Sequence, residues 1–263
     1  MKNVLILIVI AAAVVLSAAS VGAGFQAPAP SQADKPGRAA VYSVSDSDLY
    51  CSFFILEAEP ALRIAASSDG RTLFADGDIV SLAGRGLSAV QAGQVLSVLE
   101  IGPKVDSLSR NPSPGRLAFQ RGRVRILSVQ GDAGSARVEK TCGSLTPGCV
   151  LAPFLERTRL QVKESPFAAF SREAGVPTGR VLYVEGDAVQ IATDQRALID
   201  IGRNAGLDVG RQLTVFAPPD GGGDRPTEPS ANAVVIDAGA ASATVKILTA
   251  KAPVLIGDLV QVK

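Results

Sequence analysis

Twice in this chain, apolar and polar residues alternate, glycine turns follow, and the alternation resumes. Leu198 to Pro218 reads LIDIGRNAGLDVGRQLTVFAP, and Val80 to Gly102 reads VSLAGRGLSAVQAGQVLSVLEIG. Alternation with period two puts one set of side chains on each face of an extended strand, so such a stretch folds into strands with one buried face. The glycines between them supply the positive-φ backbone that tight connections need. Aligning Gly93 with Gly210, an offset of 117 residues, also places Val90 on Leu207, Leu96 on Leu213 and Val98 on Val215. Downstream, Ser135-Ala136-Arg137-Val138 matches Ser242-Ala243-Thr244-Val245, and Pro147-Gly148-Cys149-Val150 matches Ile256-Gly257-Asp258-Leu259. A period this long exceeds that of a solenoid unit, roughly 20 to 50 residues, so the pattern predicts two similar domains in tandem. The expected fold class is all-β, with two small antiparallel β-barrel or sandwich-like modules after a signal peptide and a short connecting helix.

The N-terminus sets the compartment. MKNVLILIVIAAAVVLSAASVGAG has a lysine, an apolar run and small residues ending near Ala23, the layout of a secretory signal peptide. Left uncleaved, Val4 to Ala23 is also long enough to act as a membrane anchor. No cysteine lies in the cleavage region, which argues against a lipoprotein. Residues 24–40 are rich in proline, alanine and polar side chains and read as a tether. Module 1 is expected over 41–153, with Val41 to Leu56 contributing an added strand, a connector over 154–177, and module 2 over 178–263. Within the connector, Ser165-Pro166 ahead of FAAFSREAG combines an N-cap, a proline at the first helical position and a glycine stop, which predicts a short helix.

Three cysteines in an exported chain invite a disulfide. Cys142 and Cys149 flank the turn-like GSLTPG, so the expected bridge joins them, leaving Cys51 as a buried strand residue. Module 2 has Asp258 where module 1 has Cys149, so the fold itself does not require that bridge.

The chemistry the chain can perform is narrowed mainly by what it lacks. It contains no histidine, which removes Ser-His-Asp and Cys-His catalysis, histidine-ligated zinc and HExxH hydrolysis. SxxK, CxxC, GxGxxG and GxxxxGK patterns are also missing, and no carboxylate pair is nominated by spacing. Asp220 to Asp224, DGGGD, lacks the spaced oxygen ligands of a calcium loop. The expectation is therefore a non-enzymatic protein without cofactor or metal. With 26 basic and 25 acidic residues the chain carries no net electrostatic footprint for nucleic acid. Arg121, Arg123 and Arg125 alternate and so project from one strand face, as either a solvated surface or a basic patch for an acidic partner.

The motifs G-R-V-L-Y-V (179–184), A-L-I-D-I-G (197–202), G-L-D-V-G (206–210), L-T-V (213–215), S-A-T-V (242–245) and I-G-D-L-V (256–260) resemble the C-terminal domain of the flagellar assembly protein T family. They also resemble exported bacterial envelope proteins that repeat this module, some named for peptidoglycan-binding LysM domains. The first resemblance implies a structural, ring-associated periplasmic role. Tyr183-Val184-Glu185-Gly186-Asp187 and the closing Gly210-Arg211-Gln212-Leu213 are in addition similar to the ends of a LysM domain, which implies glycan binding with Asn204 and Asp208 as candidate contacts. The two resemblances differ in what they require between residues 188 and 205: two helices for LysM, strands for the β module. The expected role is a structural or interaction protein of the bacterial envelope, located in the periplasm or cell envelope. Its partner is another envelope protein or, alternatively, peptidoglycan, and it meets the membrane only through an uncleaved N-terminal segment.

Overall fold

A computed structural model describes residues 40–65, 70–105, 115–171, 173–218 and 228–263. The signal-like segment, nearly all of the tether and the DGGGD loop lie outside these. The chain enters with β1 (Val41–Ser43), α1 (Asp46–Tyr50) and β2 (Phe53–Leu56). Six strands then follow: β3 (Arg63–Ile64), β4 (Ile79–Ala83), β5 (Val95–Lys104), β6 (Arg116–Gln130), β7 (Ala133–Thr141) and β8 (Val150–Pro153). After β9 (Gln161–Lys163) come β10 (Thr178–Val184), β11 (Gln190–Ile191), β12 (Arg196–Ile199), β13 (Gln212–Phe216), β14 (Pro229–Ala238), β15 (Ala243–Ala250), β16 (Val254–Leu255) and β17 (Leu259–Val262).

The fold is all-β with two tandem closed barrels. Barrel 1 runs β3-β4-β7-β6-β5-β8 and closes on β3; barrel 2 runs β10-β12-β15-β14-β13-β17 and closes on β10. Numbered within each module, both rings read 1-2-5-4-3-6, so the sequence repeat is a repeat of topology. The hydrogen bonds coincide as well. Gly93 donates to Ile126 O and Gly210 to Val235 O, while Gly148 donates to Ile64 O and Gly257 to Val181 O. Register shifts fall at Val98/Leu99, Arg123/Val124 and Ile126/Ser128 in barrel 1, and at Val215/Phe216, Asn232/Ala233 and Val235/Asp237 in barrel 2. These fit one offset of 117 residues before the third strand's bulge and 109 after it.

That register corrects one part of the sequence alignment: Ala136, not Val138, is the counterpart of Val245. A slip of two residues keeps every side chain on its original face, so composition alone does not exclude it.

Alternation fills each barrel with its inward row. Leu96, Val98, Val124, Ile126, Ala136 and Val138 are buried in barrel 1, and Leu213, Val215, Ala233, Val235, Val245 and Ile247 in barrel 2. Cys149 points into the first core, and its counterpart Asp258 is 1% exposed, accepting a hydrogen bond from Leu255 N at 2.9 Å. Burial pushes the Asp258 carboxyl above its usual range, more than that hydrogen bond lowers it.

Three expectations are corrected. Val41 to Leu56 is not one strand: β1 pairs with β9 of the connector, α1 follows, and only β2 joins module 1, along β6. Ser45 starts α1 with a capping box, its hydroxyl accepting from Asp48 N while the Asp48 carboxylate accepts from Ser45 N. The bridge joins Cys51 to Cys142, with Cα atoms 5.4 Å apart, and Cys149 is free. Cys142 follows β7 beside the entering segment, whereas Cys149, just before β8, turns into the first core, so the two do not face each other.

The third correction is the connector helix. Residues 164–171 are irregular and extended because side chains of barrel 2 take up their backbone groups. Gln212 Oε1 accepts from Ser165 N at 2.9 Å, Thr214 Oγ1 from Ala168 N at 3.3 Å, and Gln261 Oε1 from Ser171 N at 2.7 Å. Asn232 Nδ2 donates to Ser165 O at 3.1 Å and to the Glu164 carboxylate at 2.8 Å. A helix capped at Ser165 would use Ser165 O and Ser171 N internally and leave Ser165 N and Ala168 N without a backbone partner; barrel 2 satisfies all four groups, and the tertiary partners win. Asn232 is 1% exposed, so Asn232→Ala is expected to cost about 1–3 kcal/mol in urea unfolding. Faster amide exchange should accompany it at Ser165 and Ala168; unchanged stability and exchange would remove this explanation.

Among the described residues no helix is long and apolar enough to cross a membrane. Ala39–Lys263 form a single compact unit, so the barrels pack on one another.

Candidate functional site

The segment from Val44 to Leu56 lies between the barrels and bonds to both. On the barrel-1 side it is held by β2–β6 pairing and by the disulfide. On the barrel-2 side, Lys246 Nζ meets Asp48 Oδ2 at 2.8 Å with both side chains 10% exposed, and Thr244 Oγ1 donates to Phe53 O at 2.5 Å. Arg196 donates to Cys51 O at 2.8 Å and to Ser47 O at 3.2 Å while paired with Glu185. Arg157 donates to Leu49 O and pairs with Asp237 of β14.

This arrangement opens a cleft of about 900 Å³ whose walls come from α1, from β6 and β7 of barrel 1, and from β10 and β12 of barrel 2. Three aromatic rings join the barrels beside it. Phe53 meets Tyr183 edge-on with centroids 5.0 Å apart, and Phe119 meets Tyr183 at 6.0 Å. Across the cleft Tyr50 stacks on Phe154 at 5.3 Å. Cations lie over the rings, Arg121 over Phe119 at 5.0 Å and Arg123 over Phe154 at 5.5 Å. The Cys51–Cys142 bridge forms part of the wall.

The cleft is polar as well as aromatic. Arg121 pairs with Glu100 at 2.6 Å. Arg123 and Arg125 share a single carboxylate, Glu139, at 3.3 and 2.5 Å. Lys140, cross-strand from Arg123, lies 3.5 Å from Asp76, whose carboxylate is held below its usual range first by the Thr141 hydroxyl. On the α1 side, a hydrogen bond from Arg159 holds the Asp46 carboxyl low. One buried polar atom on the lining residues, Ser52 Oγ, has no hydrogen-bond partner, while Arg123 Nε meets Glu139 as an ion pair without an aligned hydrogen bond. Such orphans are rare in native interiors and carry a desolvation cost.

Of the residues nominated from sequence, Arg121 and Arg123 reach the cleft. Arg125 lies on the same outward face but bonds to Glu139 and Gly93 O outside it. Asn204 and Asp208 are exposed on a separate barrel-2 turn, where their backbone closes local bonds with Ala240 and Arg211. Between 188 and 205 the chain forms β11, β12 and a 3-10 turn at Arg203–Ala205, not the two helices of a LysM domain. Tyr50, Phe53, Phe119, Lys140, Phe154, Tyr183 and Arg196 were not nominated. Alternation in GRVRIL marks which face Arg121 and Arg123 occupy, but no local signal says that barrel 2 stands opposite. Among the described residues no group of three or more His, Cys, Asp or Glu side chains is placed to hold a metal ion.

No protein-family model matches the chain, and no curated protein matches it significantly.

Proposed function

We propose that this is a non-enzymatic interaction protein of the bacterial envelope, exported to the periplasm or cell envelope, which holds a protein partner between its two β-barrels. The observation that carries the reading is the inter-barrel cleft. Its walls come from three parts of the chain, and it combines aromatic rings, unequally shared charges and a buried hydroxyl without a partner, the mixture found where proteins meet ligands. The histidine-free sequence supports a binding role over acid–base or nucleophilic chemistry. The signal-like N-terminus supports export, and so does the disulfide, since such bridges persist in oxidising compartments.

Ring closure also bears on how a partner is held. The closed barrels themselves have no free edge to extend, so recognition on them runs through their walls and the cleft side chains. The test is chemical crosslinking of the full chain in envelope fractions, beside co-sedimentation with purified peptidoglycan sacculi. A discrete protein adduct with no sacculus retention is expected. Retention that free glycan fragments displace, without a protein adduct, would replace this reading with the glycan one.

A further inference from the structure

The two barrels share a register, so each outward residue of one has a known counterpart in the other. On barrel 2, Thr214, Asn232 and Thr249 lie cross-strand in one outward row. The chain's own connector lies on that row as an extended segment. Thr214 accepts from Ala168 N, Asn232 donates to Ser165 O, and the Glu164 carboxylate is clasped by Asn232 Nδ2 at 2.8 Å and Thr249 Oγ1 at 3.0 Å. Barrel 2 therefore shows what this row does: it grips an extended strand and seats a carboxylate between its fourth and fifth strands.

The counterparts on barrel 1 are Ser97, Arg123 and Lys140, paired cross-strand in the same way. Where barrel 2 has a neutral amide and a hydroxyl around Glu164, barrel 1 has a guanidinium and an ammonium. The Arg123–Lys140 end opens into the cleft. Arg123 shares Glu139 with Arg125, and the Lys140 side chain, 3.5 Å from Asp76, is 65% exposed. Three cations here, Arg123, Arg125 and Lys140, face two carboxylates, Glu139 and Asp76, and like charges directly cross-strand cost stability, so a further anion over Arg123 and Lys140 is favourable.

We infer that the Arg123–Lys140 end of this barrel-1 row, the end that reaches the cleft, binds an extended acidic peptide segment of the partner protein, seating a glutamate or aspartate carboxylate between Arg123 and Lys140 as barrel 2 seats Glu164; Ser97, buried and bonded to Gln120, takes no part. This rests on the proposed function and adds to it the chemistry of the partner. Phe154 and Tyr50, which flank Arg123, supply the apolar side of the site for the neighbouring residues of the segment. A peptide is favoured over a glycan because the template is a peptide: the backbone of residues 164–168 satisfied by side chains of a barrel wall.

The test uses the purified full chain and a fluorescein-labelled decapeptide with glutamate at alternate positions, so that one face of the extended chain is acidic. Its glutamine counterpart is the control. The double variant Arg123→Asn with Lys140→Thr installs the residues that barrel 2 carries at the same positions. It should therefore keep the fold, which circular dichroism and the melting temperature check; Lys140→Thr alone serves as a milder second variant.

The glutamate peptide is expected to bind by anisotropy, more weakly as salt rises, and at least about tenfold more weakly to the double variant. The glutamine peptide should bind the wild-type chain about as weakly as the glutamate peptide binds the variant. Equal binding to both proteins, or no binding by the glutamate peptide, would overturn the inference. Binding of soluble cell-wall glycan fragments with the same dependence on Arg123 and Lys140, without peptide binding, would overturn it in favour of a glycan. If the peptide fails while envelope protein adducts persist, only this inference falls; loss of the adducts themselves removes the proposed function.

Discussion

Replacing Cys51 and Cys142 together by alanine is expected to lower unfolding stability by about 4 kcal/mol. The two residues are 91 apart in sequence, and the bridge removes the corresponding loop-closure entropy from the unfolded chain. Its place makes the loss more than a polymer effect. Cys51 caps the C-terminus of α1, Cys142 follows β7, and the bridge fixes the entering segment to barrel 1 at the point where Arg196 of barrel 2 bonds to Cys51 O. Cys149→Ala should behave differently. It removes a small side chain from the first core and is expected to cost about 1 kcal/mol. Urea unfolding of the two proteins under non-reducing conditions separates the cases. A large loss for Cys149→Ala with none for the double variant would contradict the Cys51–Cys142 bridge.

Asp48→Ala is expected to cost about 3–5 kcal/mol, the range for removing one partner of a buried ion pair. Lys246 would remain on the barrel-2 wall with only Asp194, 3.4 Å away and 74% exposed, as a neighbour. The same change strips the capping box, since the Asp48 carboxylate also accepts from Ser45 N and Oγ. Burial pushes the Asp48 carboxyl up, but the hydrogen bonds from Lys246 and Ser45 together outweigh it and hold the group below 3.8. With the folded value depressed, the pair's contribution is present above the unfolded value, near 3.8, and is lost as pH falls through the folded one. The wild-type chain should therefore lose its advantage over Asp48→Ala only in strong acid, below about pH 4. A gap between the two proteins that is constant from pH 7 to strong acid would contradict the pairing. Replacing both partners, Asp48→Leu with Lys246→Met, should cost far less than the single change, because no buried charge is left alone.

The repeat was legible because it rests on several features in one register. Glycine turns at 93 and 210, inward rows at 96/98 and 213/215, and the position shared by Cys149 and Asp258 all agree, and the structure gives each pair the same hydrogen bonds. The all-β class and the tandem modules followed from them. The errors have a common origin in contacts between distant segments. Ser165-Pro166 with its glycine stop is a sound helix signal locally, and it loses to Gln212, Thr214, Asn232 and Gln261, which lie 46 to 90 residues away along the chain. The Cys142–Cys149 pairing used nearness in sequence, whereas the strand's in-and-out alternation turns Cys149 inward. In contrast, the capping box at Ser45 and Asp48 is a local signal, but the apolar run that follows it gives the stretch the pattern of a strand. The cleft was beyond reach from sequence. Its aromatic and cationic residues come from six separated stretches, around Tyr50, Phe119, Lys140, Phe154, Tyr183 and Arg196, and only the packing of one barrel on the other brings them together.

The most direct test of a partner held between the barrels is site-specific photocrosslinking of the full chain in cells. A benzophenone amino acid is placed at Lys140, in the cleft, and in a second protein at Ile256, which is 50% exposed on barrel 2 and not among the cleft's lining residues. The account predicts a discrete protein adduct from position 140 and none from 256. Adducts from 256 alone, or none from 140 in a folded and exported protein, would contradict it.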